Sequence, residues 1–128
     1  MKNKALTHEI IGAAFKVHKT LGFGFLEKVY ENAMMIELRK RGILGEQQVP
    51  VTVFYEKEIV GDFKAGLLIE RAIIVELKAV SQIIPEHEVQ LVNYLTATKK
   101  EFGLLINFGP SVEVKRKFQQ YHPKGQNP

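Results

Sequence analysis

Two stretches near the start of the chain repeat their apolar residues at helical spacing. Over residues 6–20, Ile10, Ile11, Ala14, Phe15 and His18 recur at that interval, and Thr7 is placed to cap the helix. Gly22 and Gly24 end it. Over residues 25–41, Leu26, Val29, Tyr30, Ala33 and Met34 form a second stripe, and Gly42 stops it. The pattern then changes to strand-like runs over 49–55, 59–69 and 72–80. The links between them, Glu56-Lys57-Glu58 and Glu70-Arg71, are short enough for two hairpins. Pro85 opens a third helix that reaches Thr98, with Glu86 and Glu88 in its first turn and Lys99-Lys100 at its end, as the helix dipole favours. Residues 102–108 are an apolar run that suits a buried strand. Residues 112–118 alternate apolar and charged side chains, as an edge strand does. The predicted order is ααβββαββ, an α/β fold with a mixed sheet flanked by helices.

Composition narrows the choice of chemistry. The 128 residues suffice for one domain, expected over 1–118, followed by a polar tail over 119–128 that contains two prolines. There is no cysteine, which removes disulfides and thiolate zinc sites and suits a cytoplasmic setting. The opening MKNKALTHEIIGAAF has no long apolar run and reads as mature sequence. No stretch approaches the roughly 18 apolar residues of a membrane span. A net charge of +4 and a pI near 9.3 permit nucleic-acid binding without requiring it.

Three local patterns carry candidate chemistry. In AIIVELKAV, strand alternation puts Glu76 and Lys78 on one face and Ile73, Val75, Leu77 and Ala79 on the other. Ionised groups on a central strand are costly unless paired or bound to a metal, although a Glu–Lys pair on a solvated face explains the pattern equally well. On the third helix His87, Gln90 and Tyr94 fall at i, i+3 and i+7. They face either a polar site or solvent. In GFGFLEKVYEN, Glu27 and Tyr30 stand one turn apart at a helix start, where an acid also serves the dipole.

Gly24-Phe25-Leu26-Glu27-Lys28-Val29-Tyr30 reads as a GxxExxY signature. With ENAMMIELRKRGI, EQQVPVTVFY, IIVELKAV, HEVQLVNYL and GLLINFG, it makes the chain resemble the GxxExxY family, a branch of the PD-(D/E)xK nuclease superfamily. The resemblance runs from about Leu6 to Lys117 and implies a restriction-endonuclease-like core. It implies that Glu76 and Lys78 form the ExK half of the motif and that Glu27 is the acid contributed by a core helix. Gln90 and Tyr94, in QLVNY, are similar to a QxxxY element near the metal and DNA. Glu27, Glu76, Lys78, Gln90 and Tyr94 are thus the expected catalytic set, and Glu27 and Glu76 the expected ligands of Mg²⁺, a cation suited to hard oxygen donors. The implied partner is nucleic acid, DNA first. The oligomeric state is left open, a homodimer included.

One position departs from the family pattern. Where the resemblance implies an Asp, as in RADLLVE, this chain reads KAGLLIE, with Gly66 at that place. Asp62 and Glu70 are each four residues away, about 13 Å along a strand, too far to substitute. Mg²⁺ binding and cleavage are therefore expected to be weakened or lost, and Gly66→Asp to restore or raise cleavage. The alternative expectation is a non-catalytic protein-interaction domain on a nuclease-derived fold. Convergence of Glu27, Glu76, Lys78 and Gln90 on one cleft would favour the first reading.

Overall fold

The computed structural model describes residues 3–119. Its elements are α1 (Lys4–Leu21), α2 (Glu27–Lys40), β1 (Gly45–Tyr55), β2 (Glu58–Ile69), β3 (Ile73–Lys78), α3 (Pro85–Thr98), β4 (Phe102–Phe108) and β5 (Val112–Phe118). The five strands form one sheet in the order β1-β2-β3-β4-β5. Only β3 and β4 run parallel, joined by the α3 crossover. The expected order and mixed sheet are present, and α3, β4 and β5 begin and end where the pattern placed them.

The two faces of the sheet are covered by different helices. Ile73, Val75 and Leu77 of β3 pack with Leu104, Ile106 and Phe108 of β4 beneath α1 and α2. Ile74 and Leu105 face the other way, against Leu91 and Leu95 of α3. Every residue of β4 is buried, as its unbroken apolar run requires. Being central and covered on both sides, β3 presents any polar side chain it carries to a dehydrated environment.

The helix stripes differ in detail from those the sequence suggested. α1 buries Thr7, Ile10, Ala13, Ala14 and Val17, while Phe15 is 55% exposed. Thr7 is no cap. Asn3 occupies the cap position, and Thr7 lies inside the helix with its Oγ1 buried and unpaired. α2 buries Tyr30, Met34 and Leu38, whereas Leu26 is 80% exposed and Val29 is also exposed. A helix start has no preceding turn against which Leu26 could pack, so apolar spacing overestimates the buried stripe there. Strand β1 begins at Gly45, earlier than expected, because Gly45, Glu46 and Gln47 pair with Ile69, Leu68 and Leu67 despite their poor strand propensity. Gln119 is tied to the body by its N–H to the Glu101 carbonyl at 2.8 Å. The rest of the expected tail lies outside the described residues.

Two tight turns use left-handed backbone without glycine. Glu56 and Lys57 have φ of 50° and 72°, and Glu70 and Arg71 have φ of 50° and 56°. Both positions being left-handed fits the two-residue hairpin turn that matches strand twist. A third left-handed pair sits inside the β1–β2 ladder. Gln48 (φ 58°) and Gly66 (φ 41°) lie opposite one another, between the pairs Gln47–Leu67 and Val49–Ala65. Leu67 packs under α1 and α2, yet Ala65, two residues away, packs with Val51 against Tyr94 of α3. In a regular strand those two side chains would share a face. The ribbon rolls over at this step, and the outer part of the hairpin turns its apolar side to α3.

Candidate active site

Glu76 and Lys78 project from β3 toward α3, on the face of Ile74. Glu76 is 8% exposed, so the solvated Glu–Lys face is not what the chain adopts. Burial pushes its carboxyl from the usual 4.5 up to about 7. Lys78 opposes that shift, and the charges of Glu27 and Glu31 add to it. Lys78 reaches across to α3, where its Nζ meets Gln90 Oε1 at 3.5 Å. The Gln90 side chain also lies beside Tyr94, one turn on. Burial raises the Tyr94 hydroxyl, the charge of Glu76 raises it further, and Gln90 lowers it. Glu76, Lys78, Gln90 and Tyr94 therefore gather in one polar cluster between β3 and α3, with the Lys78–Gln90 contact as its hydrogen bond.

The tyrosine of the GxxExxY run explains how α2 is aimed. Tyr30 is fully buried and stacks on Phe108 of β4, with ring centroids 4.6 Å apart and planes 9° apart. Its hydroxyl donates to the Gly22 carbonyl at 2.6 Å and accepts from the Phe25 N–H at 3.3 Å. Gly24, with φ of 122°, gives the intervening loop a conformation other residues avoid. The tyrosine thus clasps the loop that enters α2, which sets where Glu27 emerges three residues earlier. Tyr30→Phe should keep the stack but orphan the Gly22 carbonyl. Urea unfolding is expected to show a loss of about 1–2 kcal/mol.

Glu27 and Glu31, one turn apart on α2, line a small cleft of about 220 Å³ with Gln48, Lys64, Gly66 and Glu76. Glu31 was not singled out from the sequence, although its i+4 relation to Glu27 is the signal that reveals it. Its Oε2 accepts from Lys28 Nζ at 3.0 Å and from Gln47 Nε2 at 2.6 Å. Lys64 was one of many basic residues in the sequence. The structure sets it apart by placing it in this cleft, while Lys16 pairs with Glu37 and Lys117 with Glu88 elsewhere.

Gly66 is held more tightly than strand parity suggested. A Cβ there would stand 3.1 Å from Glu76 Oε1, so the direction is toward the buried carboxylate. It would also stand 2.2 Å from the Val75 carbonyl oxygen, on a backbone with φ of 41°. An aspartate enters this backbone only if the strand first flattens, a cost that the restoration expected from the sequence has to meet. The donors present have the hard-oxygen chemistry of a Mg²⁺ site, but Glu31 is already committed to Lys28 and Gln47. Among the described residues no three His, Cys, Asp or Glu side chains converge to hold a metal. As arranged, the residues do not close a divalent-cation site.

The remaining sequence candidates separate. His87 does not join Gln90 and Tyr94. Its Nδ1 accepts the Ile84 N–H at 3.2 Å and closes the first turn of α3. Asp62 stands opposite Thr52 on the outer hairpin and is exposed. Asn107, fully buried at the end of β4, grips the chain just beyond Lys78. It accepts from the Val80 N–H at 3.0 Å and donates to the Val80 carbonyl at 2.9 Å. Nothing in its sequence setting announced that role, which depends on the parallel β3–β4 pairing.

A mixed sheet whose central strand buries a glutamate beside a lysine, flanked by acids from one helix and a Gln–Tyr pair from another, defines a nuclease-like α/β protein. The sequence profile of the PD-(D/E)XK nuclease superfamily matches residues 4–119, and the chain belongs to that superfamily. Among solved structures, the crystal structure of a protein designated SSO0001 is similar, with a TM-score of 0.61 at 16% identity. The match covers 94% of this chain but 61% of that one, so the chain spans less than two thirds of that protein's length. No curated protein matches the sequence.

Proposed function

We propose that this protein binds nucleic acid, DNA in the first instance, at the cleft lined by Glu76 with Lys78 beside it, with phosphodiester hydrolysis weakened or lost because Gly66 stands where the superfamily motif carries an aspartate. Its GxxExxY run supports an assignment to the branch of that name. The observation that carries the reading is the buried Glu76 carboxylate. It faces the position where Gly66 has no side chain, with Lys78 bridging to Gln90 beside it. A buried acid on a central strand is expensive to keep, and such groups concentrate at functional sites. Lys78 supplies a positive charge for a phosphate oxygen. Glu76, poised near neutral pH, can accept a proton from a water beside that phosphate. Gln90 holds Lys78 toward α3. The nucleases of this superfamily generally use divalent metals, and the cleft falls short of that requirement by one carboxylate.

Titration of labelled DNA at rising salt tests the binding. Affinity should fall steeply, because each phosphate contact releases counterions, with a slope in log–log form of about −0.9 per contact on duplex. Lys64→Gln should reduce that slope. Absence of binding even at low salt would favour the second reading, a non-catalytic protein-interaction domain. That reading draws on the exposed Tyr55, Ile59 and Val60 at the tip of the β1–β2 hairpin.

A further inference from the structure

We propose that the open apolar groove between the β1–β2 hairpin and α3 is a stacking site for nucleobases, which makes single-stranded nucleic acid the substrate class of the adjoining cleft. This rests on the nucleic-acid reading of that cleft. The groove encloses about 1120 Å³, above the usual range for a single small ligand, and so admits more than one base. Its walls carry Phe54 and Phe63 from the hairpin and Val89, Gln90, Asn93 and Tyr94 from α3. Phe63 and Tyr94 form a fixed aromatic wall, with centroids 5.3 Å apart, and Phe54 is 62% exposed above it.

Three features argue for this occupant. The groove is continuous with the polar site, because Gln90 and Tyr94 belong to both. A strand with a phosphate at Lys78 therefore has its neighbouring bases beside the aromatic wall. The charges are also divided as a single strand needs. Lys64 lines the cleft together with Glu27, Glu31 and Glu76, and Lys78 stands beside Glu76, whereas among the described residues no Lys or Arg lines the groove and Glu86 is its one carboxylate. A phosphate finds its cations, Lys64 and Lys78, on the cleft side, and uncharged π faces are left for the groove. Lastly, the Asn93 amide is exposed on the α3 wall, where a base edge can hydrogen-bond it and an aliphatic surface cannot. A duplex keeps its base faces stacked inside and would leave Phe54, Phe63 and Val89 wet. The roll of the ribbon at Gln48 and Gly66 builds this wall, since it turns Val51 and Ala65 toward α3.

The test uses the full chain with a short labelled oligothymidylate and a duplex of equal length, followed by anisotropy at low salt without divalent cation. The single strand should bind about 10-fold more tightly than the duplex. Phe54→Ala should remove about 10-fold of single-strand affinity and leave the salt slope unchanged, as expected for a lost stack. Circular dichroism checks that the variant folds, and its exposed position favours this. Equal affinity for both forms, untouched by Phe54→Ala, overturns the stacking site while leaving the cleft reading in place. Failure of the unmodified chain to bind either form overturns the cleft reading and this one with it. A dimer that Phe54→Ala converts to monomer, with nucleic-acid affinity unchanged, assigns the groove to a second copy and overturns the proposal.

Discussion

Glu76→Gln is expected to stabilise the protein at pH 8 by about 3 kcal/mol while changing little at pH 4.5. The wild-type carboxyl is raised from 4.5 in the unfolded chain to about 7 in the fold, chiefly by burial. Each unit of such a displacement is worth about 1.4 kcal/mol. Because the folded state holds the proton more tightly, the contribution of this group is full below pH 4.5. It declines as pH rises and is lost once pH passes 7. Glutamine keeps the shape and carries no charge to desolvate. Urea unfolding in the presence of a chelator, repeated from pH 4.5 to 8.5, should show the unmodified chain losing about 3 kcal/mol over that range from this residue. The variant should lack that decline. Parallel pH profiles for the two proteins would mean that Glu76 is not dehydrated as the fold indicates. The same experiment bears on function, since stability gained by neutralising a buried acid is the usual mark of a residue kept for chemistry and not for folding.

What could be read from the sequence follows from how local each signal is. The α3 limits were legible because Pro85 and the acidic first turn mark the start and the two lysines mark the end. The β4 run was legible because a strand buried on both faces needs no alternation. Strand parity correctly put Glu76 and Lys78 together, since nothing interrupts β3. Parity does not run through β2, where the left-handed pair at Gln48 and Gly66 reverses the faces, although position 66 still looks toward Glu76. Gly66 itself hinted at an irregular backbone, but its partner Gln48 did not, because glutamine is a rare choice for positive φ. The placement of His87 was wrong for a related reason. Helical spacing aligned it with Gln90, but a side chain in the first turn of a helix has free backbone N–H groups to satisfy, and that competition won. Asn107 and Lys64 become meaningful only through long-range pairing, which composition and spacing do not encode.

Gly66→Ala and Gly66→Asp are both expected to destabilise the chain, and Mg²⁺ to recover part of the loss in the aspartate variant alone. A side chain at φ of 41° costs about 1–3 kcal/mol in backbone strain. The Cβ must also be relieved of its 2.2 Å approach to the Val75 carbonyl, so β2 has to flatten and the roll of the ribbon must relax. Alanine gains nothing in return. Aspartate places a second carboxylate beside Glu76, whose Oε1 lies 3.1 Å from the new Cβ. Two acids that close repel unless a proton or a cation sits between them. Millimolar Mg²⁺ should therefore raise the melting temperature of Gly66→Asp and leave Gly66→Ala and the unmodified chain where they were, by linkage of binding to folding. Cleavage of plasmid and linear DNA with Mg²⁺ or Mn²⁺ should be poor or absent in the unmodified chain. It should appear in Gly66→Asp only where the metal-dependent stabilisation appears, and vanish again when Glu76→Ala is added. Full cleavage by the unmodified chain would show that Glu27 and Glu76 suffice without a third carboxylate. A Gly66→Asp protein that folds and gains Mg²⁺ stabilisation, yet cleaves nothing, would show that the rolled strand positions more of the site than the missing ligand alone.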